Sequence, residues 1–243
     1  MLIEKVGVRE KMYFDWTYLV LVVPAMIFAM WATNRVDKTF EKYQAQYSAK
    51  RITGAEAARQ ILNANGLRNV PIDLITGNLT DHYDPTANVV RLSQNVYNST
   101  STAAIGVACH EVGHALQYAT SYPPVRLRMA IIPATKIGSR LSVPLIIIGI
   151  LLGSLSYFFT VLAYIGIAFF ALSTFFQLVT LPVELNASKR ALQQIQANGL
   201  LYENEIQGAK DVLTAAALTY VAALAVSITQ LIRFLMIVGR RRR

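Results

Sequence analysis

Three stretches of the chain carry no charged residue: Trp16 to Asn34, Leu141 to Val183, and Val212 to Ile232. A helix crossing a bilayer needs about 20 predominantly apolar residues. The first and third stretches therefore predict one span each and the middle one two, four in all. Two adjacent charge-free helices would have no solvent face in a water-soluble protein, which marks 141–183 as a membrane hairpin. Its turn is expected between Gly153-Ser154 and Thr160, and its end near Pro182. The first stretch is long and lacks the small-x-small exit of a cleaved signal peptide, so it reads as an uncleaved anchor in which Pro24 can kink the helix. The last span is expected to reach Val238, with Arg233 snorkelling toward the interface.

Between these runs the pattern is that of a folded, water-facing domain. Asn34 to Lys50 is amphipathic and basic, which predicts a helix lying along the membrane surface. Thr53 and Glu56 have the spacing of a capping box, opening a helix that ends near Asn65-Gly66. Val70 to Ile75 and Val89 to Leu92 read as strands, with Asp84-Pro85-Thr86-Ala87-Asn88 as a turn before the second. Thr102 to Ala119 reads as a helix stopped by Tyr122-Pro123-Pro124, and Glu184 to Ala197 as one closed by Asn198-Gly199. The expected fold is a mainly α membrane protein of four transmembrane helices plus a small α+β domain at the membrane surface. It divides into an anchor segment 1–33, a surface domain 34–140, a hairpin 141–182, a helical segment 183–211, and a last span with basic tail 212–243.

Composition sharpens this picture in two places. The 243 residues are 54% hydrophobic and 15% charged, with a formal net charge of +9. In a membrane protein basic residues flank the spans and meet anionic head groups. No aromatic-basic motif for nucleic acid is present, so the partner implied by the charge is the lipid bilayer. The single cysteine, Cys109, excludes an internal disulfide and any site built from several thiolates. On a helix it points about 100° away from His110, as a small packing residue would.

The chemistry lies in Thr102 to Ala119, TAAIGVACHEVGHALQYA. His110 and His114 are four apart, so a helix projects both imidazoles from one face, where they can grip one metal ion. Glu111 stands beside that face and could take a proton from a metal-activated water. The flanking Val107, Ala108, Val112, Gly113, Ala115 and Leu116 are uncharged, as a buried helix requires. Catalytic zinc normally takes three protein ligands. No histidine follows His114, and no Asp or Glu lies between Ala115 and Val183. The first carboxylate downstream is Glu184, opening Glu184-Leu185-Asn186-Ala187-Ser188, whose small residues would let two helices approach closely. His82, in Asp81-His82-Tyr83-Asp84, is the upstream rival.

HEVGHALQ, preceded by LTDHYDP and followed by LPVELNASKRAL, resembles the YugP-type neutral zinc metallopeptidases, bacterial membrane proteins, along nearly the whole chain. VELNAS is more distantly similar to the Glu-x-x-Ala-Asp segment of HtpX-type membrane proteases. That resemblance implies Glu184 as the third zinc ligand beside His110 and His114. It also puts Ser188 where that group has an Asp, a weaker anchor for a ligating histidine, with Asn186 able to share the task. The implied activity is a zinc-dependent endopeptidase with a zincin-like domain and Glu111 as general base. His82 and Tyr83 are the candidate donors to the developing oxyanion. The competing reading of their segment is a turn whose Asp side chains bond their own backbone.

Glu184 sits at the end of an apolar run, so a site built on it lies near the membrane surface and favours membrane or membrane-proximal protein substrates. The 154–160 turn has no Lys or Arg while both outer flanks of the hairpin are basic. By the positive-inside rule this puts the catalytic face in the cytoplasm, at a bacterial inner membrane. The Arg240–Arg243 tail pulls the other way if the last span crosses fully. Two non-enzymatic readings remain beside the peptidase: a membrane scaffold with a structural metal, and a chaperone-like module with a degenerate site.

Overall fold

The structure, a computed structural model, describes residues 16–240. The charged segment 1–15 and the end of the basic tail, Arg241–Arg243, lie outside the described residues. Four helices are long and apolar enough to cross a membrane. The first begins as a π-helical turn, Tyr18–Val22, that passes into α1, Val23–Gln44. After α2 (Gly54–Ala64) come strands β1 (Ile72–Ile75), β2 (His82–Asp84) and β3 (Val89–Ser93) and a single turn of helix, α3 (Gln94–Tyr97). Then follow α4 (Thr102–Ala119), α5 (Pro123–Leu152), α6 (Tyr157–Ala197) and α7 (Glu203–Arg240).

The local signals act where the sequence places them. The Thr53 hydroxyl accepts from the Glu56 amide at 3.1 Å while the Glu56 carboxylate accepts from the Thr53 amide at 2.7 Å, so two otherwise orphaned donors at the start of α2 are satisfied. The helix then buries Ala57, Ala58, Ile61 and Leu62. Ser101 caps α4 by accepting from the Ala104 amide. Pro123 opens α5 at a position where a missing N–H costs nothing. The sheet order is β1-β3-β2, with β1 parallel and β2 antiparallel to β3. The central strand β3 is buried along nearly its whole length. It packs with α2, α4 and the ends of α6 and α7 in one core that includes Ile61, Leu92, Ile105, Val112, Ile195 and Leu213.

Several expectations are corrected. Asn34–Gln44 is no separate surface helix but the continuation of α1, because Phe40 on it is buried in the domain core and Tyr43 bonds α7. Pro182 does not end a helix. α6 runs through it, as α5 runs through Pro133 and Pro144, since packed membrane helices tolerate the lost hydrogen bond. Glu184 is thus a mid-helix residue. The hairpin turn is only residues 153–156, and His82–Asp84, ahead of the expected turn, is a third strand.

The spans pair antiparallel. The Tyr43 hydroxyl donates to Asp211 at 2.5 Å at one end of α1 and α7, and the Arg233 guanidinium sits 5.0 Å from the Tyr18 ring at the other. In the α5–α6 hairpin, Gly149 lies against Ala163. A Cβ at Gly149 would come within 2.6 Å of the Ala163 amide nitrogen and the Phe159 carbonyl oxygen. Small residues at such crossings let membrane helices pack closely. The outward faces carry exposed Ile147, Leu151, Phe158 and Ile165, which suits lipid rather than water. Replacing Gly149 by valine should overpack this crossing at a cost of about 1–3 kcal/mol, read as a lower thermal unfolding midpoint of the purified protein in detergent.

Candidate metal centre

α4 is the helix on which the site is built, and apart from its two histidines its middle is almost wholly buried. Cys109 is fully buried, and burial pushes its thiol well above the ordinary range, so it packs rather than reacts. His110 and His114 share one face with ring centres 4.8 Å apart. What faces them is α6. A Cβ at Gly113 would lie 2.5 Å from the Ala187 carbonyl oxygen, so the absence of a side chain there sets the helix separation. The small residues after Glu184 do permit the close approach read from the sequence.

This approach brings Glu184 under both imidazoles. Its Oε2 lies 3.4 Å from His110 Nε2 and 3.3 Å from His114 Nε2. Among the described residues His110, His114 and Glu184 form a group that could hold a metal ion, and His82 is not part of it. These separations exceed the roughly 2.7–2.9 Å of a direct charge-assisted hydrogen bond. The two carboxylate–imidazole separations match the edge of a tetrahedron whose centre-to-ligand bonds are about 2.0–2.1 Å, which is about 3.3 Å. All three donor atoms lie within 4.8 Å of one another, and two imidazoles with one carboxylate are a donor set that suits zinc.

The far nitrogen of each ring is held. His114 Nδ1 lies 3.0 Å from Gln117 Oε1, and the Gln117 amide group donates to the Val183 carbonyl at 2.7 Å and to Asn186 Oδ1 at 3.0 Å. Because that amide nitrogen is spent on α6, the oxygen must face His114 and accept its Nδ1–H. The Nε2 lone pair is left for a metal. Ser188 Oγ lies 3.1 Å from His110 Nδ1, where the hydroxyl oxygen can accept an Nδ1–H in the same way. Asn186 acts one step removed, through Gln117, rather than on a histidine. Burial alone would push His114 below its ordinary pKa, but the Glu184 and Glu111 carboxylates outweigh it and raise it. The face therefore attracts cations.

Glu184 is 4% exposed, and its second oxygen accepts from Arg128 on α5 at 3.1 Å. Tyr220 on α7 lines the same cleft as Glu184. Glu111, 8% exposed, accepts at Oε2 from the Tyr83 amide at 2.9 Å. β2 pairs with β3 on one side only, and this amide points from its other edge toward α4. His82 is exposed on the same strand, with Nδ1 2.8 Å from the Thr80 carbonyl. The Tyr83 hydroxyl donates to Asn88 at 2.7 Å. Asp84 accepts from the amides of Thr86 and Ala87, so the turn reading holds for that residue. Asp81 instead accepts from the amide and hydroxyl of Ser93, and burial raises its carboxyl against these bonds.

A cleft of about 420 Å³ joins the three donors to Glu111, His82, Arg128 and Tyr220. Three of its supports, Gln117, Arg128 and Tyr220, were not assigned roles from the sequence. Gln117 carried a signal: it stands three positions past His114, on the same face of an apolar helix. Tyr220 is the lone tyrosine of the last charge-free run. Arg128 had been read only as a basic flank.

A family model described as "Putative neutral zinc metallopeptidase" matches residues 18–239. Over 220 residues the chain is 49% identical to a protein of Bacillus subtilis (strain 168) named "Putative membrane protease YugP", covering 90% of this chain and 96% of that protein. No solved structure matches the chain. A match over nearly all of its length, four apolar helices and a His-His-Glu donor set lead to one assignment: the chain belongs to the putative neutral zinc metallopeptidase family.

Proposed function

We propose that this protein is a membrane-bound endopeptidase that uses zinc held by His110, His114 and Glu184. The observation that carries the reading is the convergence of those three donor atoms beside the buried carboxylate of Glu111. Bound there, zinc would supply Lewis acidity to a water and to the scissile carbonyl. The remaining tasks fall to the chain. Glu111, fixed by the Tyr83 amide, takes the proton of the attacking water and returns it to the leaving amine. On the unpaired edge of β2 the Tyr83 amide is taken by Glu111, which leaves the Tyr83 carbonyl to accept from an extended substrate lying beside the cleft. For the developing oxyanion, Tyr220 in the cleft wall is the candidate donor. His82 at the rim would join it only with a proton on Nε2, because its Nδ1–H is spent on the Thr80 carbonyl. The Tyr83 hydroxyl is taken by Asn88.

Glu184 belongs to a helix whose first half is a span, so the substrate is a membrane protein or a chain held close to the bilayer. Orientation follows from charge. The residues of the 153–156 turn are uncharged, whereas Arg126, Arg128, Lys136, Arg140, Lys189 and Arg190 flank the hairpin on the domain side. By the positive-inside rule that side is the cytoplasm of a bacterial cell.

Two outcomes test this. Glu111→Gln should retain stoichiometric zinc while losing at least about 100-fold in peptide hydrolysis. Full retention of cellular function by this variant would favour a scaffold instead. Metal analysis of purified protein should find zinc lost in Glu184→Ala, kept in His82→Ala, and bound about 10–100-fold more weakly in Ser188→Ala. Zinc loss in His82→Ala but not in Glu184→Ala would overturn the ligand assignment.

A further inference from the structure

A second cavity, of about 200 Å³, opens beside the cleft. Its apolar walls come from three helices and a loop: Val36 and Phe40 of α1, Leu79, Val107 of α4, and Leu213 and Ala216 of α7. Asp81, His110, Glu111 and Tyr220 line both spaces, so the cavity begins where the reacting groups are. The metal-binding and proton-transfer roles do not use it. A dry cavity of about 150 Å³ already admits benzene, so there is room here for one large side chain.

We propose that this cavity is a specificity pocket that takes a large uncharged side chain, of the leucine or phenylalanine kind, adjoining the scissile bond. This rests on the peptidase reading and names the substrates it accepts. The charges at the entrance set the selection. Asp81 and Glu111 stand together there, so an aspartate or glutamate side chain would meet two carboxylates. A lysine gains little from Asp81, whose oxygens already accept from the Ser93 amide at 2.7 Å and its hydroxyl at 3.0 and 3.1 Å. An ammonium paired with Glu111 would stay at the mouth rather than enter the apolar part. Any charge carried further in meets only hydrocarbon and loses its water. The pocket also lies where the membrane begins. Val36 is two residues past the first charge-free run and Ala216 is just inside the last. An apolar residue leaving the bilayer can enter it without crossing water, which selects apolar juxtamembrane stretches.

The test uses the full-length, zinc-loaded protein in detergent, a random peptide library, and mass-spectrometric mapping of the cut sites. Wild type should prefer leucine or phenylalanine over serine by at least about 10-fold at one position flanking the bond. Ala216→Phe and Val36→Phe, which fill the pocket from opposite walls, should each shift that position to alanine or serine while keeping turnover. Zinc content and thermal midpoint verify that each variant is folded. A preference for lysine or aspartate there, or an unchanged leucine preference in a folded filled variant, would overturn the pocket. If no cleavage depends on Glu111, the peptidase reading fails separately, and binding then decides. Fluorescent serine-rich peptides with a central leucine, lysine or aspartate are titrated onto Glu111→Gln protein. Leucine bound at least about 10-fold more tightly than the others, and that advantage lost in the Ala216→Phe background, supports the pocket; equal binding sinks it.

Discussion

How closely α4 can lie against α6 governs everything at this site. Helices with ordinary side chains between them pack at about 8–10 Å, and a side chain at the contact point would push α6, and Glu184 with it, away from the imidazoles. Gly113 removes the obstacle at the one position that faces the Ala187 carbonyl. It sits between Glu111 and His114, so the second wild card of the His-Glu-x-x-His pattern is not free in this chain. Once the helices touch, Gln117 and Ser188 tie them with hydrogen bonds that also aim the histidines. One contact therefore fixes spacing, tautomer and ring direction together.

The charges in the cleft argue in the same direction. Two carboxylates, Glu111 and Glu184, are buried within one space, and a buried charge is tolerated only with partners. Glu184 has Arg128 on one oxygen and the two imidazoles facing the other. Glu111 has a single backbone amide. Arg128 alone does not offset two buried acids, and a divalent cation among the three donors would supply the positive charge they lack.

Most of this could be read from the chain because the signals are local or negative. The capping box at Thr53, the charge-free runs and the i, i+4 histidines each act within a few residues. Glu184 emerged because the downstream sequence offers so few carboxylates. What escaped were features set by tertiary packing. Pro182 looks like a helix stop on its own, yet α6 continues through it with Thr180 and Val183 on either side buried. β2 is three residues long and has no alternation to detect, existing only because β3 offers it an edge. Tyr220 and Arg128 reach the site from spans whose order around α4 no periodicity encodes.

That α6 is unbroken has a consequence for what the site is. The histidines and Glu111 belong to the surface domain, but the third donor rides on a helix long and apolar enough to cross a membrane. Arg128, which steadies that donor, rides on the other arm of the same hairpin. A soluble piece holding α4 alone would keep the motif and lack the metal centre. The apolar hairpin is thus part of the candidate centre itself, because the packing of α5 against α6 sets where Glu184 and Arg128 meet under the histidines.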